Sequence, residues 1–349
     1  SRGIFGLTPK PDDFVNAEKH AAFLTALRRL PSARIVRDVA GETRTHQVTF
    51  MGKRHVLDAE ILQRLVRFPD KPFGEAIDVL SALGFDRARA VQDSAGLATS
   101  PAWFAASRTA VTSDVTAIPE RQWTANAYWG TLWTLSALAR GGAEGDPYFM
   151  RNRAWQEKSM NAAAGSWAEL RHNTILYSEA FSAEGGGEQY VVDFPKGYIE
   201  PNELFFARMR WLVRKIRADL GTRGCLTERA DEKIRLLAEI CDSSLAIVRK
   251  ELRNESLSRA EHEFIHFLGN RLAQITTGCL LNDAYQSDYE REEMWRFLDE
   301  GDRSMAVIAD IGQSQETVQE VGVGPAHAIF VSGELRAHLL EEAAVDLVD

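Results

Sequence analysis

The sequence predicts a mainly α protein: a multi-helix globular array with a small β element near the C-terminus. Two observations predict it. Apolar residues recur at helical spacing through most of the 349 residues, with Gly and Pro punctuating the ends of the periodic segments. Only the tail changes character, to short apolar runs with turn residues between them. A hydrophobic share of 45% allows a substantial core, and the length suits one large domain or two ordinary ones. The expected organisation is an N-terminal helical arm over 1–45, a single α-rich domain over 46–332 and a C-terminal tail over 333–349.

The elements follow in chain order. Phe14 to Leu30 opens with acidic residues and repeats apolar residues at helix spacing, as does Leu57 to Phe68, which Pro69 and Pro72 stop. Phe73 to Leu83 is the next helix, closed by Gly84 where a left-handed C-cap is wanted. Ser94 to Pro119 reads as a polar, proline-containing stretch around Trp103-Phe104. Trp123 to Leu138 is helical and ends at Gly141-Gly142, and Asn152 to Phe181 is one long helix or two abutting ones. Gly185-Gly186-Gly187 reads as a hinge and Tyr190 to Phe194 as a short strand. A helix begins at Glu200-Pro201-Asn202 with Pro near its first turn. Helices then continue to Phe297, with turns at Gly221-Gly224, Asn254-Ser258 and Asn282-Ser287. Ala306-Ala309 and Ala326-Val331 are the runs expected to form the sheet.

Charge narrows the range of partners. The formal charge is −9, from 41 basic and 50 acidic residues, with both signs interspersed. Nucleic acid as the main partner would want a concentrated basic face. The run Arg208 to Lys215 reads instead as one solvated face of an amphipathic helix. No apolar run approaches the roughly 20 residues of a membrane-spanning helix. Cys225, Cys241 and Cys279 lack Cys-x-x-Cys spacing and read as buried thiols, with a Cys225–Cys241 bridge left open.

One helix carries a dense polar cluster. At 100° per residue, Met160, Ala163, Trp167, Leu170, Thr174, Tyr177 and Phe181 form one stripe, while Leu176 lands opposite, between Glu169 and His172. A helix apolar on both sides is buried all round, which would draw Glu169, Arg171, His172 and Asn173 away from water. Buried charges must be paired, so these groups are expected to bond to one another or to close neighbours. The arrangement fits a structural clamp between helices or a functional pocket.

Two metal readings compete elsewhere. His262-Glu263-Phe264-Ile265-His266 matches H-E-x-x-H, which on a helix lets two histidines share Zn²⁺ while the Glu acts as general base on bound water. Glu290, Glu292 and Glu293 are the candidate third ligands. Alternatively Glu169-x-x-His172 and Glu263-x-x-His266 are two Glu-x-x-His pairs. With Glu144 or Glu157 and Glu232 or Glu239, they have the composition of a dinuclear iron or manganese site in a helical bundle. No Gly-x-Ser-x-Gly elbow, phosphate-binding loop or dinucleotide fingerprint occurs.

The segment Gly165-Ser166-Trp167-Ala168-Glu169-Leu170-Arg171-His172-Asn173-Thr174-Ile175-Leu176-Tyr177 closely resembles the hallmark of a large bacterial family catalogued as a domain of unknown function. Supporting stretches are Phe50 to Arg54, Ala76 to Gly84, Pro147 to Met150, Gly197 to Asn202 and Ala306 to Asp310, in the family's order over about residues 45 to 330. The chain resembles the C-terminal half of a longer member, so the resemblance implies an N-terminal half or second protein chain as partner, and an exported or cell-envelope origin. It implies a helical fold and nominates Glu169, Arg171, His172, Glu200 and Asp310 as shared polar positions. The family usually has Asp where Asn173 stands, Lys near Glu179, and His where Gly312 or Gln313 lies. Those departures favour a non-catalytic binding or assembly component with a buried Glu-Arg-His cluster. A zinc-dependent hydrolase using His262, Glu263 and His266 is the alternative, and a dimetal carboxylate oxidase the third reading.

Overall fold

The computed structural model describes residues 15–29, 56–95, 102–139, 146–174, 197–272, 275, 307–314 and 317–323. Of these, 73% are helical, and one small antiparallel sheet lies near the C-terminus, as the periodicity predicts.

Helix α1 (Ala17–Arg28) is capped by Asn16, whose Oδ1 accepts from the Lys19 amide at 3.0 Å. Helix α2 (Leu57–Arg64) ends earlier than Phe68, because Arg67 and Lys71 exchange two 2.8 Å backbone bonds and close a turn there. Helix α3 (Ala76–Ala82) ends as expected at Gly84. Its φ of +100° lets the Phe85 amide reach the Leu80 carbonyl and the Gly84 amide the Ser81 carbonyl, the paired bonds of a Schellman turn. A side chain at that φ would be strained.

Helices α4 (Asp86–Ser94) and α5 (Ala102–Thr116) follow. The second corrects the reading of 94–119 as a polar stretch. Phe104, Val111 and Val115 fall in one stripe and are buried, which suffices to dock a helix otherwise rich in Ala, Ser and Thr. The helix expected over 123–138 is divided into α6 (Glu120–Trp123), α7 (Ala127–Leu135) and a 3₁₀ turn (Ser136–Ala139). Asn126 restarts it by accepting from the Trp129 amide at 3.1 Å. A second 3₁₀ turn (Tyr148–Arg151) leads into α8 (Arg153–Thr174).

Helix α9 (Glu203–Thr222) begins one step later than expected. Asn202 is its cap, accepting from the Phe205 amide at 3.0 Å, so Pro201 precedes the helix rather than occupying its first turn. Helices α10 (Glu228–Leu252) and α11 (Arg259–His266) are capped by Thr227 and by a Ser258–Glu261 capping box. Strands β1 (Val307–Ser314) and β2 (Thr317–Val323) pair antiparallel from Val307↔Val323 to Ser314↔Thr317, with a bulge between Asp310 and Gly312. The second strand thus lies ahead of Ala326–Val331, which is outside the described residues, as are Gly185–Gly187, Tyr190–Phe194, Asn282–Ser287 and the tail over 333–349.

Helix α8 is the centre of the packing. It touches α3, α4, α7, both 3₁₀ turns and both strands. The main core gathers Leu57 and Ile61 of α2 with Leu65 just past its end, Val79 and Leu80 of α3, Phe104 and Val111 of α5, Trp129 and Leu132 of α7, and Trp167 of α8. A second cluster joins Ile199, Ile247 and Val248, with Phe206, Phe264 and Ile265 packed on it. Helix α9 packs on α7 and α10. Its basic run is therefore not a free solvated face: Arg210 and Arg214 both pair with Asp242 of α10, and Arg208 donates to the Trp133 carbonyl at 2.6 Å.

Among the described cysteines, both are free thiols. Cys241 is buried, which pushes its thiol up to about 11. Cys225 is exposed, against the expectation of a buried thiol, because it follows the turn at Gly224 that ends α9. Cys279 lies outside the described residues.

Candidate functional site

The polar centre of the fold forms around a residue of α2, Asp58. In sequence, Asp58 is in step with Ile61, Leu62 and Leu65, so it shares the apolar stripe of its helix. Burying that stripe buries the carboxylate, and Asp58 has no exposed surface. An uncompensated charge there would be prohibitive. Three donors compensate it: the Tyr128 hydroxyl of α7 reaches Oδ1 at 2.6 Å, and Trp167 Nε1 and Arg171 Nη1 of α8 reach Oδ2 at 3.1 and 3.3 Å. The Asp58 amide donates back to the Tyr128 hydroxyl oxygen at 3.1 Å. Burial, and then the charge of Asp58, pushes the Tyr128 phenol far above its ordinary value, so Tyr128 stays a donor throughout the physiological range.

The next turn of α8 holds the hairpin. Arg171 spans both sites, its Nη2 donating to the Asp310 carbonyl at 3.1 Å. His172 Nδ1 lies 3.0 Å from the Ile308 carbonyl. Because a carbonyl only accepts, His172 carries its proton on Nδ1. Carbonyls two residues apart on a strand point to the same edge, so one helical turn of α8 secures β1 at two points. Ala309 is buried and Ile311 packs into the core. About two turns back, a Cβ at Gly165 would lie 2.9 Å from Val323 Cγ2. The glycine lets β2 approach the helix.

These contacts correct the expected Glu-Arg-His cluster. Arg171 and His172 are half-buried and turn to Asp58 and β1, whereas Glu169 and Asn173 are exposed. The expected second apolar face rests on Leu176, which lies outside the described residues. Up to Thr174, α8 buries one side only, and Glu169 is on the other. Glu200 pairs with Lys158 near the start of α8, away from Arg171. Asp310 contributes its carbonyl, and its side chain is exposed.

A second carboxylate, Asp78 of α3, is also fully buried. Lys71 Nζ donates to it at 2.7 Å, Gln92 Nε2 at 2.8 Å and the Glu75 amide at 2.9 Å. Arg108 extends the network to Gln92 and Asp93. Like Asp58, Asp78 betrays itself in sequence only as an acid inside an apolar helix.

The metal candidates fare differently. His262, Glu263 and His266 do share α11, with His262 half-buried and Glu263 and His266 exposed. The candidate third ligands Glu290, Glu292 and Glu293, and also Glu144, lie outside the described residues. Among the described residues no three His, Cys, Asp or Glu side chains converge as a metal site would require. The two Glu-x-x-His pairs are therefore not brought together. Glu169 points outward, His172 turns to β1, α11 packs by Phe264 and Ile265, and Glu157 is held by Arg87 and Arg153. No described helix is long and apolar enough to cross a membrane.

The fold and this centre define a helical protein in which one long helix clamps a buried carboxylate and a β-hairpin. The chain belongs to the family described as protein of unknown function (DUF3160), whose signature matches residues 6–340. No curated protein and no solved structure matches it.

Proposed function

We propose that the chain is a non-catalytic binding or assembly component, and that the network around Asp58 organises the fold rather than a reaction. The observation that carries this reading is the saturation of Asp58: it has no exposed surface, and both of its oxygens are taken by Tyr128, Trp167 and Arg171. A general base or nucleophile must come within about 2.6–3.2 Å of its substrate. Asp58 could do so only by giving up the donors that make its burial tolerable. Arg171 and His172 are likewise committed to β1. Among the exposed large apolar side chains, Phe68 is 70% exposed in the turn closed by Arg67 and Lys71 and is our candidate for contact with a partner. An exposed aromatic suits a protein partner with an apolar pocket, such as a second chain supplying an N-terminal half.

The zinc-hydrolase reading has one observation in its favour. His262 Nδ1 is buried without a hydrogen-bond partner among the described residues. Elemental analysis of the full chain, purified without chelator, separates the readings. The assembly reading expects substoichiometric zinc, iron and manganese, unchanged by His266→Ala. One zinc per chain, lost on His266→Ala, would overturn it. Two irons or manganese ions, lost on either His172→Ala or His266→Ala, would select the dimetal oxidase.

A further inference from the structure

In the last turn of α10, Glu251 reaches out of its helix to hold another part of the chain. Its Oε1 accepts from the Ile199 amide at 3.1 Å, while its Oε2 is buried with no hydrogen-bond partner among the described residues. Ile199 is itself buried in the second core cluster with Ile247, Val248, Phe264 and Ile265. Two residues earlier, a Cβ at Gly197 would lie 2.9 Å from Ile265. Three residues later, Asn202 caps α9 and also donates to the Ala137 carbonyl at 3.1 Å. The segment 197–202 is thus a junction. Glu200 ties it to α8 through Lys158, and Glu251 ties it to α10.

Glu251 does this without a counter-ion. Among the described residues, the neighbouring cations are committed elsewhere: Lys250 to Glu261 of α11, Arg249 to Glu203 of α9, and Arg253 to Glu255. The segment's own titratable groups are Tyr198 and Glu200, the latter paired with Lys158 of α8, and the neighbouring α11 carries Glu261, His262, Glu263 and His266. An unpartnered charge in such a place is far more costly than an unpartnered hydroxyl.

We propose that Glu251 is a pH-governed latch on segment 197–202: neutral, it holds the Ile199 amide inside the α10–α11 junction, and ionised, it favours opening of that segment to water. Burial pushes the Glu251 carboxyl above its ordinary value of 4.5, with the Ile199 amide opposing. A group raised in the closed state stabilises it fully below the open-state value, and that contribution is lost as pH rises through the closed-state value. The latch therefore tightens toward acid and slackens toward neutrality.

Hydrogen exchange of the full chain, read by mass spectrometry on peptides covering 198–202 and corrected for intrinsic exchange, tests the latch between pH 5 and pH 8. Wild type should lose protection several-fold across that range, since each unit separating closed- and open-state values is a tenfold change in the opening equilibrium. Glu251→Gln keeps the acceptor for Ile199 and removes the charge, so its protection should stay high and flat. A flat wild-type profile, or the same slope in Glu251→Gln, would overturn the proposal. So would a slope abolished by His262→Asn, which would make the histidine the titrating group. Should Glu251→Gln fail to fold, carbon-13 titration of the wild-type carboxyls decides, and a Glu251 that titrates at or below 4.5 refutes the latch.

Discussion

Replacing Asp58 with Ala should strongly destabilise the protein, although the residue lost is a small polar one. The substitution removes the acceptor of three donors, leaving the Tyr128 hydroxyl, the Trp167 indole and the Arg171 guanidinium facing a small void. Arg171 retains the Asp310 carbonyl but loses its buried counter-charge. Removing one partner of a buried charged pair costs about 3–5 kcal/mol. At about 2 °C per kcal/mol for a large domain, the melting temperature should fall by roughly 6–10 °C. Urea unfolding followed by circular dichroism measures the loss. Tyr128→Phe deletes only the hydroxyl and should cost about 1–3 kcal/mol. Once Asp58 is gone the hydroxyl has no role, so the double mutant should be far less destabilised than the two single changes summed. If Asp58→Ala costs less than about 1 kcal/mol, or if the two changes simply add, the carboxylate is not the organising charge described above.

The Lys71–Asp78 pair should show the asymmetry of buried ion pairs. Lys71→Met alone strands Asp78 and should cost about 3–5 kcal/mol, whereas Lys71→Met with Asp78→Leu should recover most of that loss in the same urea titration. A double variant no more stable than Lys71→Met would contradict this. Glu261 supplies a pH signature of the opposite sign to Glu251. Lys250, and then the Ser258 amide, hold its carboxyl down at about 2 against an ordinary 4.5. Its contribution is therefore complete above 4.5 and is lost as pH falls through about 2, in an amount reduced by solvent screening because the pair is only partly buried. Carboxyl NMR titration should place Glu261 well below the exposed glutamates, and Lys250→Ala should return it toward them. A Glu261 that titrates with the exposed glutamates in the wild type would contradict the pairing.

Helices were legible where their apolar stripes were wide, and lost where small residues did the packing. α8 announces itself through Ala163, Trp167 and Leu170, and the Gly84 stop through a backbone requirement that little but glycine meets cheaply. α5 is hidden because Ala, Ser and Thr fill most of its turns, so its three large buried residues look scattered. The break between α6 and α7 turns on the single cap at Asn126, inside a run whose tryptophans and leucines argue for continuity. β2 was missed because a strand with one exposed face needs an apolar residue only at alternate positions. Val318 is in fact 46% exposed while Val321 packs into the core.

The site divides along the same line, between what a helix says about itself and what it says about its partners. Trp167, Arg171 and His172 could be picked out because polar and aromatic groups crowd one helix. Their partners could not, because Asp58 is 109 and 113 residues from Trp167 and Arg171 and 70 from Tyr128. The Asp78 network, by contrast, spans only 7 and 14 residues to Lys71 and Gln92. That difference has a physical consequence. Asp78 can be satisfied as soon as α3, α4 and the preceding turn come together, so its network is a local matter. Asp58 stays an uncompensated charge until α7 and α8 have both arrived in register, and Arg171 completes its bonds only when β1 lies across α8. Any arrangement that buries the same apolar stripes with α8 rotated or shifted leaves a charge in the core without its donors. The polar contacts at Gly165 to His172 therefore discriminate among packings that hydrophobic burial alone would treat as nearly equivalent. A segment with that task must keep its glycine, tryptophan, arginine and histidine whether or not any substrate is ever bound.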